Sequence, residues 1–255
     1  MDQKWTALLE DIAYDMTHQK RGRAILINNE NFDNHKQRKG TDVDAKRIQK
    51  CFIELGFEVV RKNDKKVSEM MNLLEKESQR DHSTSDCLVV IILSHGEEGR
   101  VFGTDYAVHL DQLTTLFDST NCPSLAGKPK LFFIQACRGT DFDDGVVVKS
   151  DDEPDGIGMD SHGFALDQDF LLAFATVNGY YSWRNRKNGS WFIQALCDVF
   201  SRHSNTLDLL SMMTRVNNSV AFTYQSSQST GGKKQIPCMI SKLTKDLYFT
   251  PKSKR

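Results

Sequence analysis

Two residues able to do covalent chemistry together stand at the ends of apolar runs. Cys137 closes the stretch Leu131-Phe-Phe-Ile-Gln-Ala-Cys-Arg-Gly-Thr140, and His95 follows Cys87-Leu-Val-Val-Ile-Ile-Leu93. A thiol with a free pKa near ~8.5 needs a base beside it to be a good nucleophile at neutral pH. His95 is the candidate base, and Gly96 after it lets the backbone approach a substrate. The N–H groups of Gly96 and Cys137 would then receive the oxyanion of a tetrahedral intermediate. Taken singly, a lone cysteine and a lone histidine fit a core residue and a turn residue more readily. The case for a pair rests on what carries them to one place.

The elements around them alternate. Strand-like Arg23–Asn28 is followed by a helix near Asp42–Leu55, where Ile48, Cys51, Phe52 and Leu55 recur at helical spacing and Gly56 is a natural stop. Strand Phe57–Arg61, a helix near Ser68–Ser78 and strand Cys87–Leu93 come next, then a short helix near Asp111–Asp118 and strand Lys130–Cys137. The run Cys87–Leu93 is too apolar for a half-exposed strand and suits a parallel sheet covered on both faces. Beyond an acidic, Gly-rich interruption at about 140–162, strand Asp169–Ala175, helices near Ser190–His203 and Thr206–Phe222, and a last strand near Ile236–Leu243 complete the pattern. An α/β fold is expected: three αβα layers, with a mostly parallel six-stranded central sheet and helices on both faces. In such sheets the reactive site lies beyond the carboxyl ends of the strands. His95 and Cys137 both fall there.

Composition narrows the function classes. With 39% hydrophobic and 26% charged residues among 255, neither disorder nor a membrane protein is indicated. A net charge of -1 gives no footprint for nucleic acid, and the basic end Pro251–Arg255 reads as a solvated tail. No run reaches the ~18 apolar residues of a spanning helix, and the N-terminus lacks a secretory apolar core, so a cytoplasmic protein is expected. The six cysteines show no paired spacing, and neither C-x-x-C nor H-E-x-x-H occurs, so no metal or other cofactor is expected.

The motif context decides for chemistry. Gln135-Ala-Cys-Arg-Gly139 with Ser94-His-Gly96 upstream resembles the signature of the caspase family. The likeness extends through Ile27-Asn-Asn29, Gly40-Thr-Asp-Val-Asp-Ala45, Gly127-Lys-Pro-Lys-Leu131, Gly179-Tyr-Tyr-Ser-Trp-Arg-Asn185, Gly189-Ser-Trp-Phe-Ile-Gln194 and Lys234-Gln-Ile-Pro-Cys238. It covers roughly residues 14 to 250 and is nearest to the executioner (effector) caspases of the caspase-3 and caspase-7 type. The resemblance implies a cysteine endopeptidase that cleaves proteins after aspartate, acting in apoptosis. It assigns Arg38, Gln135 and Arg184 to the substrate aspartate. Guanidinium forks suit that task because they bind a carboxylate with two parallel hydrogen bonds. An asparagine in its place would leave buried cations uncompensated, at about 3–5 kcal/mol, so discrimination of order ~10²–10⁴ is expected.

By the same resemblance Tyr181 and Trp183 wall the pocket for the second substrate residue, Ser182 counts among the substrate-binding residues, Arg184 also suits a glutamate at the third, and Asn185 and Trp191 shape the fourth. A backbone carbonyl of Lys36 or Gln37 is the third catalytic element. The loop Tyr224–Lys234 is shorter than its counterpart and lacks the family's phenylalanines. Both Asp-x-x-Asp and Val/Ile-x-x-Asp preferences therefore stay open. Residues 1–20 form a short N-terminal segment and 21–250 a single catalytic domain. Within it, about 21–155 is a large subunit carrying His and Cys, about 140–165 a cleavable linker, and about 161–255 a small subunit. Processing is expected after Asp155, with Asp160 as a second site. The last strand is a long apolar edge that a homodimer of processed chains would cover. An upstream initiator caspase and inhibitor proteins are implied partners. A non-catalytic caspase-like regulator would not need His95, Cys137, Arg38, Gln135 and Arg184 together. A nucleotide-binding module lacks its glycine-rich motif here.

Overall fold

The computed structural model describes residues 12–138, 166–177, 182–226 and 232–252. A six-stranded sheet forms its centre, built from β1 (Arg23–Asn28), β2 (Glu58–Asn63), β3 (Leu88–Leu93), β7 (Lys130–Gln135), β8 (Phe170–Phe174) and β11 (Cys238–Ser241). The order is β11-β8-β7-β3-β1-β2, parallel throughout except that β11 runs antiparallel to β8. Strands β1, β3 and β7 carry continuous apolar stretches, Ala24–Ile27, Leu88–Leu93 and Leu131–Ile134, because both of their faces are covered.

Alternate side chains of those strands enter two separate cores. Leu26, Val89, Ile91, Leu131 and Phe133 pack with helices α1 (Thr41–Glu54), α4 (Trp191–His203) and α5 (Leu209–Thr223). Ile25, Val90, Ile92, Phe132 and Ile134 face the other way, onto α2 (Val67–Ser78) and the short α3 (Leu110–Thr114). That is the expected three-layer αβα arrangement. Each fully buried Val, Leu, Ile or Phe adds about 1.5–3 kcal/mol to the sheet's anchorage.

Some boundaries move. The last strand is shorter than Ile236–Leu243, because Pro237 has no N–H for a ladder and Ile236 is exposed. Strand β7 stops at Gln135, so Ala136 and Cys137 stand in the turn beyond it. Two small pairings carry no signal in the sequence: a sheet of β4 (Gly96–Glu97), β5 (Arg100–Phe102) and β6 (Ala107–His109), and a hairpin of β9 (Arg184–Asn185) and β10 (Gly189–Ser190). Both sit beside the carboxyl end of the main sheet. Among the described residues, no helix is long and apolar enough to cross a membrane.

Candidate active site

The site is built where β1, β3 and β7 end together. Leu93 pairs with Asn28 on one side and Gln135 on the other, so the residues that follow each strand emerge side by side. Ser94 N–H donates to the Gln135 carbonyl at 3.2 Å, and Asn29 N–H to that of Leu93 at 2.9 Å. These bonds carry the ladder one step past the strands and place Ser94-His95 against Ala136-Cys137. Gly96 then packs into the turn around the thiol. A Cβ there would lie 2.7 Å from the Cys137 carbonyl oxygen and 2.8 Å from the Ala136 side chain, so only glycine fits.

The two chemical residues share a cleft of about 230 Å³ with Arg38, Ser94, Ser182, Trp183 and Arg184. Cys137 is half-buried, its Sγ 3.6 Å from Ser182 Oγ. His95 Nε2 lies 2.7 Å from the Lys36 carbonyl oxygen. Of the two carbonyls considered, Lys36 is the one bonded to the ring. A carbonyl can only accept, so Nε2 carries the hydrogen and Nδ1 keeps its lone pair. The ring is also walled by Phe32 at 4.6 Å and His35 at 5.6 Å between centroids. Burial pushes the His95 pKa down to about 4, opposed by the bond to Lys36 and helped by the charges of Arg38 and Arg184. The imidazole is therefore neutral at physiological pH and able to accept a proton.

The two arginines arrive by different routes. Arg38 is almost wholly buried; its Nη1 donates to the Asn29 carbonyl at 3.2 Å and to Thr41 Oγ1 at 2.7 Å, and its Nη2 to the Gln135 carbonyl at 3.5 Å. Thr41 passes its own hydrogen to Asn28 Oδ1 at 2.7 Å, which ties the arginine to the end of β1. Arg184 Nε donates to the Lys39 carbonyl at 3.1 Å. Among the described residues, neither arginine forms an ion pair with a carboxylate. Burial and the charge of Arg184 bring the Arg38 pKa down to about 9. Burial also lowers that of Arg184. Gln135 is fully buried, donates Nε2 to Ser182 Oγ at 3.1 Å, and leaves Oε1 without a partner among the described groups.

A family model, the Caspase domain, matches residues 21–248. The chain belongs to the caspase family. Caspase-7 of Gallus gallus is 45% identical over 245 residues, covering 92% of this chain and 79% of the relative. Caspase-3 of Bos taurus is 46% identical over 243 residues, covering 93% and 87%. The crystal structure of caspase-1 from Spodoptera frugiperda superposes with a TM-score of 0.86 at 39% identity, over 96% of this chain and 95% of the other. This caspase is thus a cysteine-type endopeptidase, a hydrolase of the executioner, apoptotic type.

The remaining singled-out positions divide. Ser182, Trp183 and Arg184 line the cleft with His95, Cys137 and Arg38. Trp191 does not. It is buried as the first residue of α4, stacked between Trp183 at 5.7 Å and Tyr224 at 5.6 Å. The Asn185 Oδ1 accepts the N–H groups of Lys187 and Asn188, so it shapes the hairpin turn. Tyr181, Asp155 and Asp160 lie outside the described residues. Arg138 lays its guanidinium over the Phe174 ring at 4.1 Å, bracing the turn after Cys137 against β8.

Sequence reasoning singled out no role for Gln235, Thr41 or Asp44 of this caspase. Gln235 is fully buried; its Oε1 accepts the Trp183 N–H at 2.6 Å and its Nε2 donates to the Ala175 carbonyl at 2.6 Å. It fixes the Trp183 backbone to the end of β8. The signal available was polar residues inside the quoted family motifs, with no spacing rule to say what they touch.

Proposed function

We propose that this caspase cleaves its substrates after aspartate, with Cys137 as nucleophile, His95 as general base and Arg38, Arg184 and Gln135 as the aspartate pocket. Nδ1 of His95 takes the thiol proton while Nε2–H stays on Lys36. The thiolate attacks the carbonyl carbon, and the N–H groups of Gly96 and Cys137 receive the oxyanion. The imidazolium returns its proton to the leaving amine as the C–N bond breaks, which leaves a thioester. Water, deprotonated by His95, then splits the thioester, releases the acid and restores the thiol.

One observation carries the reading. A buried guanidinium group, Arg38, and a half-buried one, Arg184, border the cleft of a thiol and a neutral imidazole, and neither is in contact with a carboxylate among the described residues. Such charges call for an incoming carboxylate. Tyr181, Ser182 and Trp183 would line the second pocket. Asn185 and Trp191 act on the fourth from behind, by shaping the hairpin and backing Trp183, with Asp, Val or Ile accepted there. The substrates are proteins with aspartate in exposed loops.

Activation would follow cleavage after Asp155, with Asp160 as a second point, by an upstream initiator caspase. It separates a large subunit (about 21–155) from a small one (about 161–255). Among the described residues β11 is an edge strand with β8 as its one neighbour, which favours a homodimer closed across that edge. Inhibitor proteins would act at the same cleft in a cytoplasmic enzyme.

The test is turnover of matched peptides ending in Asp, Asn or Lys, beside a Cys137→Ala control. Cleavage confined to Asp and absent in the control is expected. Equal turnover of Asp and Asn, or activity in the control, overturns the reading. Intact-mass analysis of the same samples should show a cut between Lys149 and Ser161, and an active protein left whole there would refute the processing scheme.

A further inference from the structure

Asp44 is a fully buried carboxylate for which the chemistry above has no use. It lies in the first turn of α1. Its Oδ1 accepts the Ser190 N–H at 2.7 Å, and its Oδ2 accepts the Ser190 hydroxyl at 2.5 Å. Ser190 is fully buried as well. Gly189 just before it has φ 88°, and a Cβ there would lie 2.3 Å from Asp44 Oδ1. The carboxylate reaches the hairpin only because residue 189 has no side chain. From the far side Gln194 Nε2 donates to the carbonyls of Gly189 at 3.2 Å and Ser190 at 3.4 Å. Strand β10 is therefore held between α1 and α4.

The register gives that clamp its consequence. Ser190 pairs directly with Arg184 across the hairpin. Whatever fixes Ser190 fixes the backbone from which Arg184 projects. The charge matters too. Asp44 and Glu30 both act electrostatically on Arg38 and Arg184, and Arg38 also feels the charge of Arg184. Burial raises the Asp44 carboxyl, while the bonds from Ser190 and the charges of Arg38 and Arg184 favour its ionised form. The same two cations act on His95. Two like charges in a buried site repel each other and lack solvent, so a fixed anion behind them lowers the cost of holding both. Because each Asp44 oxygen is engaged by Ser190, the carboxylate cannot swing forward and fill the pocket.

We propose that Asp44 is the positioning residue of the aspartate pocket: through Ser190 it sets where Arg184 stands, and its charge is a buried counter-ion of Arg38 and Arg184, beside Glu30. The inference rests on the reading of those two arginines as the aspartate-binding pair.

The two halves separate by substitution, measured as kcat and KM on an Asp peptide from pH 6 to 10. Ser190→Ala keeps the charge and loses one hydrogen bond to a carboxylate. KM should rise roughly tenfold, with the alkaline limb of kcat/KM unmoved. Asp44→Asn keeps the shape, since its amide can accept from the Ser190 N–H and donate to the Ser190 hydroxyl, but loses the charge. Its alkaline limb should move about one unit lower in pH, while KM at pH 7 changes by less than about threefold. An unmoved limb in Asp44→Asn overturns the proposal. So does an unchanged KM in Ser190→Ala, or a parallel fall of kcat and melting temperature in both at every pH. Should Asp44→Asn not fold, Ser190→Ala alone still decides the positioning half. A wild type that turns over Asp and Asn peptides equally would instead overturn the underlying pocket reading.

Discussion

The two ends of the central sheet each bury charge, and they treat it in opposite ways. At the end where the strands begin, Asp86 is fully buried and fully answered. Arg21 Nη1 lies 3.0 Å from it, Lys252 Nζ 2.6 Å and His18 Nδ1 3.3 Å. Arg21 also donates to the Leu55 carbonyl at 3.2 Å and to that of Thr250. This cluster ties both outer segments of the described chain to the sheet. At the end where the strands finish, Arg38 is buried and Arg184 half-buried, bonded to backbone and hydroxyl oxygens, and among the described residues neither has a carboxylate in direct contact. The first arrangement makes its ion pairs within the chain. The second keeps an internal anion, Asp44, on Ser190 and leaves both guanidinium groups without a contact ion pair among the described residues. Buried charge is a staple where the ion pair is made, and a candidate binding site where it is left open.

The difference can be broken from either side. The largest effect belongs to the open end. His95→Ala should lower kcat by about ~10⁴-fold or more, as removing one member of a catalytic unit does, with KM and the melting temperature close to wild type. A loss of stability in place of turnover would make His95 a structural residue. Arg38→Ala should come next, cutting the Asp-over-Asn ratio of kcat/KM by about 10²–10⁴ through loss of a buried charge pair with the substrate. An intact ratio would move the pocket elsewhere. At the closed end, Asp86→Ala should destabilise the fold by about 3–5 kcal/mol, because it strands the buried Arg21. Denaturant unfolding reads that loss, and the folded fraction should keep its KM. A shift in substrate preference there would contradict the division of labour.

How much of this was legible in the sequence depends on the kind of signal. β1, β3 and β7 were readable because burial on both faces writes apolar runs of four to six residues, Ala24–Ile27, Leu88–Leu93 and Leu131–Ile134. The hairpin that carries Arg184 and the small sheet that starts at Gly96 were not. Strands of two or three residues are too short for any periodicity. Among candidate site residues, His95, Cys137 and the arginines were singled out through motif resemblance. The choice of Lys36 over Gln37 needed a distance. Asp44 and Gln235 stayed silent because their work is hydrogen bonding across long sequence separations, to Ser190 and Trp183. Trp191 was expected to shape the fourth pocket; it stacks on Trp183, and an aromatic residue reads alike in the sequence whether it faces a cleft or backs it.

The smaller effects sharpen the comparison. The sign of the pH dependence follows from Arg38, whose pKa is depressed to about 9 by burial. Only its charged form pairs with a carboxylate, so kcat/KM for an Asp peptide should hold below that value and fall as the pH rises through it. An Asn peptide, which gains less from the charge, should show a shallower limb. Smallest is Tyr224→Ala, which removes one ring from the stack on Trp191. It should cost about 0.5–1.5 kcal/mol and show as a severalfold rise in KM, because Trp183 loses its backing.

The central claim is that the open end of the sheet holds positive charge awaiting a carboxylate. Calorimetric titration of the Cys137→Ala protein, which should bind without cleaving, measures this directly with product peptides ending in Asp or in Asn. The account predicts at least ~10²-fold tighter binding of the Asp peptide, collapsing toward equality when Arg38→Ala is added. Equal affinity for the two peptides in the protein with Arg38 intact would contradict it.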